Sequence, residues 1–191
     1  MSKVNVNSIE PETGTTLTLG ASGDTVDVPS GATLDVTGAT VTGLSAGKVL
    51  QVLSLSYNTT ETWTTSWVDT GLTIDITPTA TANKVLVMIT AYFGGNSDVY
   101  FRIVRDSTDI SQAAAAGDRR VTTGANIIGD ENAVMPMSAI FLDSPSATSA
   151  TTYKVMVSAE TAGSLNRSNG DGDYSDRPRS NSTITVMEIE G

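Results

Sequence analysis

Cysteine and histidine are both missing from this 191-residue chain. Disulfide bridges and Cys/His zinc sites are therefore excluded, and the Ser-His-Asp and Cys-His catalytic arrangements go with them. Basic side chains are few: 11 Lys and Arg stand against 21 Asp and Glu, a net charge of −10. That balance argues against a phosphate-binding surface, and so against nucleic acid as a partner. It suits a surface that attracts divalent cations. Long apolar runs are absent too. The most apolar stretch, "KVLVMITAYF" (84–93), is about half the length a membrane span needs. The opening "MSKVNVNSIEPE" has no apolar h-region and no cleavage site of the secretory kind. The expectation is a soluble chain that folds where it is made, with no membrane insertion. P-loop, dinucleotide fingerprint and nucleophile elbow are not found, and no pair of carboxylates stands in an acid–base context. An enzyme is not expected.

What is present falls into two regions of different grammar. Residues 13–47 hold seven glycines and nine threonines in 35 positions, with no aromatic residue. Apolar pairs recur there: Leu17 with Leu19, Val26 with Val28, Leu34 with Val36, then Val41. Each pair brackets Thr or Asp, which places one face inward and one in water. Gly14, Gly20, Gly23, Gly31, Gly38 and Gly43 punctuate the pairs and permit sharp turns. Strands this short lack a core of their own and leave unpaired edges. Stacking with identical copies solves both problems. Three chains wound about a common axis would bring Leu17, Leu19, Val26, Val28, Leu34 and Val36 to an apolar centre. The alternative is a disordered Gly/Thr/Ser linker, against which the regular spacing weighs.

The seam is "TGLSAGK" (42–48), and from residue 48 onward the chain reads as all-β. Candidate strands are 49–57, 66–76, 84–93, 99–105, 121–128, 134–142, 151–160 and 182–190, rich in Val, Ile, Thr, Tyr and Phe. Breakers such as Pro78, Gly94-Gly95 and Asp143-Ser144-Pro145 separate them. Eight strands without a convincing helix point to a two-sheet sandwich of jelly-roll type. "SQAAAAGD" (111–118) is too short for more than a turn or two of helix. In "KVLVMITAYF" both alternating sets are apolar, whereas an antiparallel strand normally wets one face. Its outer side is expected to meet another subunit or a covering loop.

Two stretches hold candidate binding chemistry. "GSLNRSNGDGDYSDRPRSN" (163–181) is a long connection without apolar periodicity, the kind that carries function. Its Asp171, Asp173 and Asp176 form a calcium-like spread of oxygen ligands, without the glycine and closing Glu of an EF-hand; a solvated acidic loop is the competing reading. Arg167, Tyr174, Arg177 and Arg179 flank these acids and could meet a surface glycan or phosphate, or pair with the Asp residues. "ETWTTSWVD" (61–69) carries Trp63 and Trp67, which share a face if the strand is regular. Exposed, they would offer a stacking platform for sugars; otherwise they belong to the core and its edge. Calcium apart, no cofactor is expected.

Taken together the two regions resemble structural proteins of tailed bacteriophages, especially those of marine and cyanobacterial hosts. "VNSIEPETGTTLTLGASGDTVDVPSGATLDVTG" is similar to the N-terminal shaft of phage fibre proteins. "GKVLQVLSLSYNTTETWTTSWVDTGLTIDITPTATANKVLVMI", "YFRIVRDSTDI", "FLDSPSATSATTYKVMV" and "STITVMEIE" are similar to the sandwich tip that often follows it. Such modules occur alike in tail fibres, head fibres and capsid-decorating trimers. The resemblance implies a virion protein assembled in the host cytoplasm. It implies a homotrimer whose residues 1–12 attach to other virion proteins, 13–47 form an intertwined β-helical shaft, and 48–191 present a jelly-roll-like sandwich to the host surface.

Overall fold

A computed structural model describes residues 9–11, 13–19, 21–37 and 48–191. Val41, most of the 42–48 seam and the greater part of the 1–12 attachment segment lie outside the described residues. The chain divides into two units, Met1–Leu44 and Ser45–Gly191.

In the first unit, turns stand at Gly23 and Gly31, while Gly20, Gly38 and Gly43 lie outside the described residues. Asp24 N–H donates to the Ala21 carbonyl (3.0 Å), and the Asp24 carboxylate accepts from Ala21 N–H (2.7 Å). Ala32 N–H closes a second turn onto Pro29 (3.0 Å). Gly23 and Gly31 sit at φ 93° and 88°, a region that side-chain-bearing residues enter only with strain. No strand forms at 13–19 or 21–37. The apolar pairs find no ladder partner within their own chain, and Leu17, Leu19, Val26, Val28, Leu34 and Val36 are left 42% to 70% exposed.

The second unit is all-β, and no helix occurs among the described residues. Its strands are β1 (Val49–Tyr57), β2 (Glu61–Trp63), β3 (Val68–Ile76), β4 (Lys84–Gly95), β5 (Asp98–Arg105), β6 (Thr108–Ile110), β7 (Gly124–Ile127), β8 (Val134–Asp143), β9 (Thr151–Ala159), β10 (Gly163–Leu165) and β11 (Ser182–Ile189). Eight of them match the sequence expectation; the 121–128 candidate shrinks to the four residues of β7. The additional β2, β6 and β10 have three residues each, too few to display a period.

All pairings are antiparallel, and they follow one scheme. The chain doubles back between β5 and β7, so that β5 lies on β7, β4 on β8, β3 on β9 and β1 on β11. Joining β11 to β4 gives one sheet, β1-β11-β4-β8, with β10 and β2 continuing along the far end of β4. Joining β9 to β5 gives the other, β3-β9-β5 with β6 and β7 on the outer edge of β5.

Strict alternation feeds the core between the sheets. Val85, Val87, Ile89, Ala91 and Phe93 of β4 face Val99, Phe101 and Ile103 of β5 and Tyr153, Val155 and Val157 of β9, all buried. Phe93 stacks on Phe101, with centroids 6.1 Å apart. The expected double burial of β4 is only half met in a single chain. Leu86 and Met88 on the outer side are half-buried.

Two buried acids tie the structure together. Asp143 at the end of β8 accepts from Arg105 Nη1 (2.8 and 2.7 Å) and from the Tyr153 hydroxyl (2.7 Å), so one carboxylate links the two sheets. Burial, followed by the hydrogen bond to Asp143, pushes the Tyr153 hydroxyl far above the usual tyrosine range. Glu188 on β11 is fully buried and accepts from Gln51 Nε2 (2.6 Å), Thr79 N–H (2.6 Å), Thr79 Oγ1 (2.8 Å) and Asn83 Nδ2 (2.6 Å).

Candidate functional site

The 166–181 connection is built from its base upward. Asn166, directly after β10, takes φ 59° and is fully buried. Its amide donates to the Tyr57 (2.7 Å) and Thr59 (2.9 Å) carbonyls and accepts from Ser182 Oγ (2.6 Å), pinning both ends of the loop to the sheet. Above it the two legs run antiparallel as a neck. Ser180 N–H donates to Asn166 O (2.9 Å), Ser168 N–H donates to Pro178 O (3.3 Å), and a β-bridge joins Arg167 to Arg179. The tip then docks on the 130–132 turn, where Gly170 N–H donates to Glu131 O (2.9 Å) and Arg177 Nη2 pairs with Glu131 Oε1 (3.4 Å).

Among the proposed contact residues the structure makes a division. Arg167 is mostly buried and donates to the Ser168 (2.8 Å) and Asn169 (3.2 Å) carbonyls, holding the neck. Arg177 crosses Gly170, where a Cβ would collide with its guanidinium, and so braces the tip. Tyr174 is at the surface, 69% exposed, with the Arg177 guanidinium 5.7 Å from its ring. Arg179 is also at the surface, and it pairs with Asp171 (2.7 Å). The loop therefore presents a phenol ring and the Arg179–Asp171 ion pair to solvent on a pinned base.

The acidic residues do not converge. Asp171 is turned to Arg179 and Arg167, and Asp176 accepts from Asn132 Nδ2 (3.4 Å). Among the described residues no group of three or more acidic side chains could hold a metal ion. The expected grouping of Asp171, Asp173 and Asp176 is corrected accordingly: Asp171 is met by Arg167 and Arg179, which flank the acids in sequence.

Trp63 is a second correction. It is 4% exposed, with its ring edge-on to Phe93 at 5.9 Å, and so is a core residue rather than a surface contact. The bend at Thr65–Ser66 interrupts the strand, so Trp63 and Trp67 do not share a face. Trp67 instead lies under the Arg102 guanidinium, 4.4 Å from its ring. Gly163 on β10 makes room for Trp63, since a Cβ there would meet the indole Nε1 at 2.5 Å. Gly163→Ala is therefore expected to cost roughly 1–3 kcal/mol through overpacking, read as a lower denaturant midpoint. A loss within about 0.5 kcal/mol, the ordinary surface value, would count against this packing.

Sequence reasoning passed over Asn166, Asp143 and Glu188. A signal existed for the last, because Glu188 shares its alternation with Ile184 and Val186.

No family model matches the chain, and no curated protein matches it. Among solved structures it is similar to a chain in the "Structure of infectious bursal disease virus Gx strain", at 15% identity and a TM-score of 0.31. The match covers 73% of this chain and 40% of that one, so it spans well under half the length of the viral chain. At that distance the likeness carries no argument about what this chain does.

Proposed function

We infer that the chain is a virion structural protein, a homotrimeric fibre whose sandwich is presented for attachment to a host surface. The observation that carries this reading is the set of six apolar side chains, Leu17 through Val36, left exposed on a segment that has turns but no ladder. Such a segment gains a core only from other copies of itself. The sandwich adds support. Pairing first strand with last, and so inward to β5 on β7, is how a jelly roll forms, an architecture used by viral capsid and lectin domains. On this reading residues 13–47 form the intertwined shaft, and residues 1–12 join it to other virion proteins. The sandwich loops, Tyr174 and Arg179 foremost, meet a surface glycan without catalysis. Three tips on each fibre add avidity without any tight single site.

A second reading, a decoration protein of the phage capsid, is favoured by length, since 35 residues make a short shaft. Electron cryomicroscopy of whole particles separates the two, by density on the tail or at capsid symmetry positions. Native mass spectrometry is expected to give three times the 19.8 kDa chain mass, and a monomer would overturn the trimer. Host cells that fail to bind the purified trimer would remove the attachment role.

A further inference from the structure

The outward face of β1-β11-β4-β8 differs from the rest of the sandwich. Register puts Val52, Met187, Leu86 and Leu142 in one row across the four strands. The next row is Ser54, Thr185, Met88 and Ile140, and the one beyond is all hydroxyl. No outward side chain in these rows is charged, in a chain with 21 acidic and 11 basic residues. The outward face of the other sheet carries the ion pairs Arg102–Asp109 and Lys154–Asp69, and its Tyr100 and Trp67 rings are covered by Arg120 and Arg102. The neutral face is also exposed at its two opposite margins. Val52 and Leu50 stand out on β1, and Ile140, 72% exposed, stands out on β8. Inward of Ile140, over β4, lies a depression of about 340 Å³ lined by Met88 and Ile140 together with the hydroxyls of Thr90, Ser138, Thr183 and Thr185. The β1 margin offers knobs, and the middle of the face offers a hole.

We propose that this face joins head to tail between copies of this chain, the β1 margin of one copy seating against the Met88–Ile140 depression over β4 of the next. A contact between two different patches closes into a ring when the rotation allows, whereas a symmetric dimer would use one patch twice. Charge selects a second copy as the occupant. Two chains of net charge −10 repel over most of their surfaces, and this face is where they approach without like charges meeting. Size gives the same answer. Four strands side by side over six residues of β4, Val85–Thr90, make a face of about 19 by 20 Å, on the order of 400 Å² per copy. A free-standing interface takes about 800 Å² per partner. A face this small holds where copies are already tethered at high effective concentration, so the inference rests on the proposed trimeric shaft.

The absence of cysteine makes the test clean. Val52→Cys, Ile140→Cys and the double variant of the full chain are treated with a short bismaleimide and resolved under denaturing conditions, with native mass measured beside them. The expected result is a covalent trimer from the double variant and uncross-linked chains from each single one. A covalent dimer in either single variant would overturn the head-to-tail arrangement. A native trimer that cross-links in none of the three would overturn the inference while leaving the trimeric reading standing. A native monomer would overturn both. In parallel, Ile140→Lys is expected to lower the trimer's melting temperature without changing that of the sandwich as a monomer; an unchanged trimer counts against the interface.

Discussion

An Asp143→Ala chain is expected to lose about 3 kcal/mol of stability, seen as a drop in the guanidinium midpoint at neutral pH. The carboxylate it removes accepts from the Tyr153 hydroxyl, and that tyrosine is fully buried. It also accepts from Arg105 at 2.7 and 2.8 Å. Taking it away leaves a buried phenol without its acceptor and a largely buried guanidinium without its countercharge. Because Arg105 is still partly in water and also donates to Ser144 O (3.3 Å), the loss belongs at the lower end of the range for broken buried pairs. Tyr153→Phe, which removes only a donor, is expected to cost about 1 kcal/mol. If Asp143→Ala costs no more than Tyr153→Phe, the carboxylate is not the link between the sheets described above.

Glu188→Ala is expected to cost a similar amount, about 3 kcal/mol, by orphaning the donors of Gln51, Thr79 and Asn83 together. Its distinguishing mark is pH. Burial by itself pushes the Glu188 carboxyl up, but the hydrogen bonds from Asn83, Gln51 and Thr79 outweigh it and hold the group at about 2. The ordinary value in an unfolded chain is 4.5, so the folded state prefers the ionised form. The stabilisation is therefore fully present above about pH 4.5 and is lost as pH falls toward 2. Melting temperatures from pH 7 down to 2.5 are expected to fall more steeply in the parent chain than in Glu188→Ala. Parallel curves would mean that the carboxylate is not held ionised by this cage.

The two acids also mark the limit of what was legible in the sequence. Each strand long enough to show a period of two was readable, because alternation reports burial without knowledge of the partner strand. β11 is the plainest instance: Ile184 and Val186 point inward as spaced. The three-residue strands were not readable, and neither was the fate of Trp63. Its parity with Trp67 held only for an unbroken strand, and the bend at Thr65–Ser66 ended that. In the 163–181 loop the division of labour among the residues was not visible. Which arginine braces and which faces water depends on Glu131 and the 130–132 turn, distant in sequence.

The sequence by itself determined the all-β class, the alternation that fills the core, and the glycine turns of the first unit. These follow from local sterics and from the two-residue repeat of a strand. It also determined that Cys- and His-based chemistry is closed to this chain. Only the tertiary structure decided that first strand pairs with last, that Asp143 and Glu188 are buried and satisfied, and that Asp171 is held by Arg167 and Arg179. Each of these turns on two groups far apart in the chain meeting within hydrogen-bond distance, and no local pattern encodes such a meeting.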